Sequence, residues 1–308
     1  MGTYQLPAAT RIGHVHLRVA NLNKSLAFYE GLLGFRQIRR EGETVYVSAS
    51  GETPAQLILT AVPGLKPRLK SATGLYHLAV RLPGRPELAR MLNHLLKRGV
   101  RPGFGDHTVS EAIYLYDPDG NGVELYADRP RDQWAFRDGS LEMITTPVDV
   151  PDLLGELRGR QGTYPGLPRG TAIGHLHLQV SDLQQAEAFY CRTVGFSVMQ
   201  RTYPGALFVS AGGYHHHLGL NVWHSLRLAP APPDTAGLIF FSLLVPEEET
   251  IRTLRDRLSR SGSLLTQLPN NLLVARDRDG IKMEITRYTL SPTADLNRFT
   301  GNLFEQEV

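Results

Sequence analysis

The sequence contains little cysteine, little net charge and no long apolar run. Its single cysteine, Cys191, excludes an internal disulfide and suits a reducing compartment. Lys and Arg exceed Asp and Glu by only three and are scattered, so we expect no nucleic-acid partner. No stretch has the ~18 apolar residues of a membrane span, and no basic start precedes an apolar signal-peptide core. These absences predict a cytoplasmic protein that binds neither nucleic acid nor membrane.

The chain repeats itself. IGHVHLRVANLNKSLAFYEGLLGF (12–35) is identical to IGHLHLQVSDLQQAEAFYCRTVGF (173–196) at half of its positions. DPDGNGVELY (117–126) returns as DRDGIKMEIT (277–286). A repeat with a fixed offset indicates that the fold is built from duplicated units.

Each half of the chain divides again into two shorter units. Within the first unit, residues 12–20 alternate as a strand does, Asn21 or Asn23 can cap the following helix, and Gly34 ends that helix. Three short strands follow, which makes a βαβββ module. The predicted modules are 12–61, 73–127, 173–222 and 237–286. The sequence therefore predicts an α+β fold of four βαβββ modules that pair into two cups, each a curled sheet around a concave face.

These modules define the predicted domains. The N-terminal pair occupies 1–128 and the C-terminal pair 173–286, which fits the length expected for two domains. A linker rich in Pro, Gly and Arg covers 129–172, and a C-terminal extension covers 287–308.

The modules differ in the potential metal ligands that they keep. Their first strands carry, at equivalent places, His14, His77, His175 and Phe240. Glu124 near the end of the second module recurs as Glu284. A single histidine on an apolar strand is usually a structural polar group, but recurrence at one place favours a ligand. Two imidazoles and one carboxylate leave open positions on an ion and suit non-haem Fe(II), although the same ligand types also serve Mn(II).

These features resemble the vicinal oxygen chelate superfamily, which includes glyoxalase I, bleomycin-resistance proteins and type I extradiol dioxygenases. The resemblance lies in the paired modules, the LxxSLxFY helix and the DPDGNGVELY turn. Three further segments, TGLYHLAVRLP, the stretch from GDHTVS to PRDQW, and FVSAGGYHHHLGLN, are similar to the bacillar two-domain catechol-2,3-dioxygenases. The resemblance covers roughly 12–128 and 173–286.

The resemblance implies a role for each site residue. His77, Glu124 and His175 match the metal ligands, and His216 matches the catalytic acid–base histidine. The histidine of the GDH segment, His107, matches a second catalytic position, and Tyr114 lies ten residues before Glu124, as the family tyrosine does. The flanking His215 and His217 are assigned to substrate binding, although strand alternation lets at most two of the three adjacent histidines point inward.

Two ligand triads remain open. One is His14, His77 and Glu124 within the first half, and the other is His175, His77 and Glu124 across the halves. The second requires the second and third modules to form one cup and the first and fourth the other. We favour His175 because His216 lies on its module and has no counterpart in the first.

The resemblance therefore implies an Fe(II)-dependent extradiol dioxygenase whose partners are a small aromatic diol and O2. Mn(II) is the alternative metal. Two other functions are considered: a glyoxalase-like isomerase or thiol transferase of the same superfamily, and a metal-free module that binds an aromatic compound. Association into a homo-oligomer is compatible with the pattern but not required by it.

Overall fold

A computed structural model describes residues 4–137, 139–159, 163–268 and 271–288 of the chain. The predicted C-terminal extension lies outside the described residues from position 289 onward. The described chain contains 18 strands, numbered β1 to β18, and five α-helices, numbered α1 to α5.

The first module follows the predicted order. Its elements are β1 (Arg11–Val19), α1 (Leu22–Tyr29), β2 (Arg36–Glu41), β3 (Thr44–Ser48) and β4 (Leu57–Ala61). The Asn21 side chain caps α1 by accepting from the backbone N–H of Lys24. The helix is shorter than predicted and ends at Tyr29, and Gly34 follows with a positive φ of 87°.

The second module has the same order. Its elements are β5 (Gly74–Arg81), α2 (Arg85–Lys97), β6 (Gly103–Asp106), β7 (Ser110–Tyr116) and β8 (Gly122–Asp128). The sequence did not reveal β6, whose GFGD residues lack an alternating apolar pattern. In the linker lie a 3-10 turn (Arg131–Gln133), β9 (Phe136–Arg137), β10 (Ser140–Leu141) and α3 (Val150–Gly155).

The second half repeats these elements. The third module contains β11 (Ala172–Gln179), α4 (Leu183–Glu187), a π-helical segment (Ala188–Val194), β12 (Ser197–Gln200), β13 (Ala206–Ser210) and β14 (Leu218–Asn221). The fourth contains β15 (Gly237–Val245), α5 (Glu248–Arg260), β16 (Leu264–Leu268), β17 (Leu272–Arg276) and β18 (Lys282–Arg287). Among the described helices, none is long and apolar enough to cross a membrane.

The modules pair across the halves of the chain, as the favoured prediction requires. One eight-stranded sheet has the order β12-β13-β14-β11-β5-β8-β7-β6 and joins the third module to the second. The other has the order β16-β17-β18-β15-β1-β4-β3-β2 and joins the fourth module to the first. Antiparallel pairs β5–β11 and β1–β15 form the two seams. The predicted fold of four βαβββ modules in two cross-paired cups is confirmed.

The two faces of each sheet differ in chemistry. In the β5–β11 sheet, one face carries apolar residues such as Leu78, Val80 and Leu125, which belong to the main buried cluster. That cluster also contains Leu17 and Phe241 from the other sheet, so the modules share one core. Because successive side chains alternate, the residues between these apolar positions point to the opposite, concave face.

Buried tyrosine–aspartate hydrogen bonds connect the two sheets. The Tyr29 hydroxyl on α1 donates to Oδ2 of Asp117, in the turn before β8, at 2.9 Å. The Tyr190 hydroxyl donates in the same way to Oδ2 of Asp277, also at 2.9 Å. Each bond joins a helix of one sheet to a turn of the other, so the repeated FY and DxDG motifs hold the two cups together.

Replacing Tyr29 by Phe should destabilise the protein by about 1–3 kcal/mol, because the buried Asp117 carboxylate then loses a donor. Equilibrium unfolding in urea measures the change. Tyr190→Phe should behave alike, whereas Tyr116→Phe is the control, since Tyr116 is 66% exposed. Equal stabilities of all three variants would contradict this role.

Candidate metal centre

Three buried side chains meet on the concave face of the β5–β11 sheet. His77 lies on β5, Glu124 on the neighbouring β8, and His175 on β11. Nε2 of His77 is 2.9 Å from Oε2 of Glu124, and Nε2 of His175 is 3.3 Å from the same oxygen. One ligand atom from each residue lies within 4.8 Å of the other two. The seam therefore brings together donors from both halves of the chain.

The donor set fits a metal ion. Among the described residues, the buried Nε2 of His77 has no partner in good hydrogen-bond geometry, although it lies 2.9 Å from Oε2 of Glu124. An unsatisfied buried nitrogen is costly unless it meets another partner, and two imidazoles with one carboxylate form a facial set for a divalent ion. The backbone allows the approach, since a Cβ on Gly122 would lie 2.8 Å from Cβ of His77.

The protonation states also suit metal binding. Burial alone would raise the pKa of the Glu124 carboxyl, but the imidazoles of His175 and His77 outweigh burial and hold that pKa well below its usual range. Burial, opposed by Glu124, lowers the pKa of His175 to about 4. At neutral pH the carboxyl is therefore ionised and the His175 imidazole neutral, the forms that coordinate metals.

The equivalent place in the other sheet lacks a third ligand. Nε2 of His14 lies 3.5 Å from Oε2 of Glu284, and Phe240 occupies the position equivalent to His77. The Phe240 ring packs edge-on against His14, with ring centroids 5.6 Å apart. Within the described ranges, His77, Glu124 and His175 form the one group of three or more convergent ligands. The structure thus brings His77 and Glu124 together with His175 and not with His14.

A cavity of about 370 Å³ opens above these three residues. His216, Tyr114, His107 and His177 are among its lining residues. Aromatic side chains form much of the remaining wall: Tyr76, Tyr116, Tyr203, Phe208 and Trp223. The space is concave, largely apolar and supplied with a few polar groups, as small-molecule sites generally are.

His216 is held by a chain of hydrogen bonds that sets its tautomer. Nδ1 of His215 lies 2.8 Å from Nδ1 of His216, and Nε2 of His215 lies 2.9 Å from Oδ1 of Asp128. The carboxylate can only accept, so Nε2 of His215 carries the proton. Nδ1 of a neutral His215 then accepts from Nδ1 of His216, which leaves Nε2 of His216 as the nitrogen able to take up a proton.

Tyr114 and His107 form a second polar pair at the cavity. The Tyr114 hydroxyl lies 2.6 Å from Nε2 of His107, and Nδ1 of His107 lies 3.1 Å from Oγ1 of Thr145. Burial and then Glu124 raise the pKa of Tyr114 well above its usual value, so the phenol stays protonated. Tyr114 and Glu124 are direct cross-strand partners, which explains their ten-residue spacing.

The structure places His215 and His217 behind the cavity wall. The three adjacent histidines precede β14, which begins at Leu218, so strand alternation does not govern them. His215 is fully buried and contacts Asp128, while Nδ1 of His217 accepts from the backbone N–H of Ala211 at 3.2 Å. Neither residue is among those that line the cavity, so their predicted part in substrate binding stays a prediction that these contacts do not support.

Sequence reasoning missed Asp128 and Thr145. Asp128 lies four residues after Glu124 on β8, so strand periodicity puts both on the same face, and that signal was available. Thr145 is in the linker, which lacks a readable pattern. His177 also lines the cavity, and its buried Nε2 has no hydrogen-bond partner among the described residues.

Comparison with known proteins finds related sequences over most of the chain. The sequence model of the Glyoxalase/Bleomycin resistance protein/Dioxygenase superfamily matches residues 11–125 and 172–285. Catechol-2,3-dioxygenase of Bacillus subtilis (strain 168) is 42% identical over 270 residues, which cover 86% of this chain and 93% of the relative. Biphenyl-2,3-diol 1,2-dioxygenase 2 of Rhodococcus globerulus is 26% identical over 47% of this chain and 78% of its own length.

A solved structure shares the fold. Glyoxalase I of Zea mays superposes with a TM-score of 0.52 at 14% identity, covering 91% of this chain and 92% of its own. At that identity the likeness shows the architecture alone.

Repeat symmetry supplies a matched pair of variants for the metal site. His175→Gln should weaken metal binding at least about a hundredfold, because it removes one of three ligands. His14→Gln, at the equivalent place in the other sheet, should retain one ion per chain. Anaerobic titration calorimetry with Fe(II) or Mn(II) measures both. The assignment of His175 as a metal ligand would be contradicted if His14→Gln weakened metal binding as much as His175→Gln, or if His175→Gln did not weaken it.

Proposed function

The chain belongs to the Glyoxalase/Bleomycin resistance protein/Dioxygenase superfamily, and from the geometry of its site we propose that it is an extradiol dioxygenase. Its substrate is catechol or a substituted catechol, and its product is a muconic semialdehyde. In this reaction the ring C–C bond beside the diol breaks and both atoms of O2 enter the product, so no external reductant is needed. The observation that carries the proposal is the convergence of His77, Glu124 and His175 beside His216 and Tyr114 in one cavity.

We propose Fe(II) as the metal, held by His77, Glu124 and His175. When bound, the ion would supply Lewis-acid chemistry to the two neighbouring oxygens of the diol and would help to bring O2 within reach of the ring. Mn(II) accepts the same nitrogen and oxygen ligands and is the alternative.

His216 acts as the acid–base residue in this proposal. Its Nε2 takes the proton from a substrate hydroxyl, and the same nitrogen later returns that proton to an oxygen of the reacting substrate. Burial lowers the pKa of His216 well below its usual value, so the imidazole enters the reaction neutral and able to accept. The link through His215 to Asp128 stabilises the positive charge that develops on the ring.

Tyr114 and His107 orient the substrate oxygens. The protonated phenol of Tyr114 donates toward negative charge that develops on an oxygen, and His107 fixes the direction of that hydroxyl. The aromatic wall excludes water from the ring. A glyoxalase-like isomerase or a thiol transferase has less need of His216, Tyr114 and His107 together.

Ring opening tests the proposal directly. Iron-loaded protein mixed with catechol in air should yield a yellow ring-opened product and consume one O2 per catechol. His216→Ala should keep its iron and lose about a hundredfold or more in kcat, the size of a general-base contribution. A native rate in this variant would refute its role. Bound iron without ring opening would favour another superfamily reaction, and absence of stoichiometric metal would favour a binding module.

Replacing Asp128 should lower kcat, although Asp128 is not among the residues that line the cavity. Asp128→Asn offers His215 either an amide oxygen or an amide N–H, so both tautomers of His216 become populated. We expect kcat to fall about tenfold to a hundredfold while KM and iron content stay within about threefold. Asp132→Asn, an exposed site in the linker, is the control. A change confined to KM would argue against a role through His216.

A further inference from the structure

One end of the cavity is cationic. Arg68 and Lys70 line it together with Gln179, the last residue of β11. Among the lining residues Glu124 is the one carboxylate, and it belongs to the ligand set. The cavity thus presents two positive side chains without an acidic residue of its own to balance them.

Hydrogen bonds within the fold fix the position of the Arg68 side chain at the cationic end. Gln179 is fully buried, and its amide accepts from Nη2 of Arg68 and donates to the backbone oxygen of Lys70 at 2.9 Å. Nε of Arg68 donates to the backbone oxygen of Leu75 at 2.7 Å. The backbone N–H of Arg68 is itself bound to the oxygen of Asp119 at 2.9 Å. These contacts hold the guanidinium in one place.

Every acceptor that holds the Arg68 side chain is neutral. Across the described chain, neither Arg68 nor Lys70 has a carboxylate within ion-pair distance, whereas Arg85 and Arg129 both do. A guanidinium that is partly withdrawn from water without a counter-ion is costly, and an anion beside it relieves that cost. The fixed guanidinium therefore has an unfilled preference for a carboxylate.

The metal centre and the cationic end lie along the same strand of the cavity. His175, His177 and Gln179 alternate on β11 and all three line the cavity. His175 and Gln179 are four residues apart, about 13 Å along a strand. A catechol whose hydroxyls lie at His175 can therefore extend a substituent from the far side of its ring along β11 toward Arg68 and Lys70.

We propose that the preferred substrate is a catechol that carries a carboxylate at the end of the ring remote from its two hydroxyls. Arg68 and Lys70 bind that carboxylate, and Gln179 positions Arg68. The proposal rests on the extradiol function and adds the substrate class to it.

The test compares acids with uncharged amides of the same shape. Protocatechuate and dihydrocaffeate are each measured against their amides, as kcat/KM for ring opening by the iron-loaded enzyme. For at least one pair we expect the acid to exceed the amide about tenfold or more, since a charged hydrogen bond is exchanged for a neutral one. In Lys70→Gln and in Arg68→Gln that ratio should fall toward one.

Controls separate charge recognition from folding and from the function itself. Lys97→Gln, on the exposed last turn of α2, should leave the ratio as in the wild type. If Arg68→Gln does not fold, Lys70→Glu serves in its place and should favour the amide. Anaerobic calorimetry with each acid and amide measures the same preference by binding, so failure to open any ring counts against the extradiol function alone. Equal or weaker binding of both acids, or a ratio unchanged in the Lys70 variants, would overturn the proposal.

Discussion

The antiparallel pairing of β5 with β11 is the constraint on which the site depends. It sets His177 opposite His77 and His175 opposite Ala79, so two histidines separated by about a hundred residues in sequence share one concave face. The parallel pairing of β8 with β5 then adds Glu124 to that face. A register slip of one residue at the seam would turn these side chains into the apolar core. Metal binding and the folding of the sheet therefore rest on the same backbone hydrogen bonds.

The two sheets show what the site needs beyond topology. Both sheets have eight strands in the same arrangement, with two modules joined through their first strands. Both sheets also bury a His–Glu pair. Phe240 fills the third ligand position in one of them and packs against His14 and His16. The phenyl ring offers no donor atom to an ion and packs against the two histidines instead. Duplication thus provided two cups, of which the one at the β5–β11 seam combines ligands, a cavity and polar partners.

Much of this arrangement was readable from the sequence. The repeat predicted the four modules, and the place of His216 on the third module favoured pairing across the halves, which the sheet order confirms. The repeat also predicted the ligand candidates, because residues at matching sequence positions of duplicated modules occupy matching places in the fold.

Other parts of the site were not readable. The contacts of His215 and His217 depend on the conformation of the loop before β14, to which strand alternation does not apply. Thr145 and Arg68 reach the cavity from connecting segments, where spacing does not fix direction. The cationic end depends on which charges lack partners, a property of the folded chain alone.

The most direct test of the account is a crystal structure of the iron-loaded protein, with the ion located by anomalous scattering. We expect one ion per chain at the β5–β11 seam, coordinated by Nε2 of His77, Nε2 of His175 and a carboxylate oxygen of Glu124. An ion bound at His14 and Glu284, or one that leaves His175 uncoordinated, would contradict it.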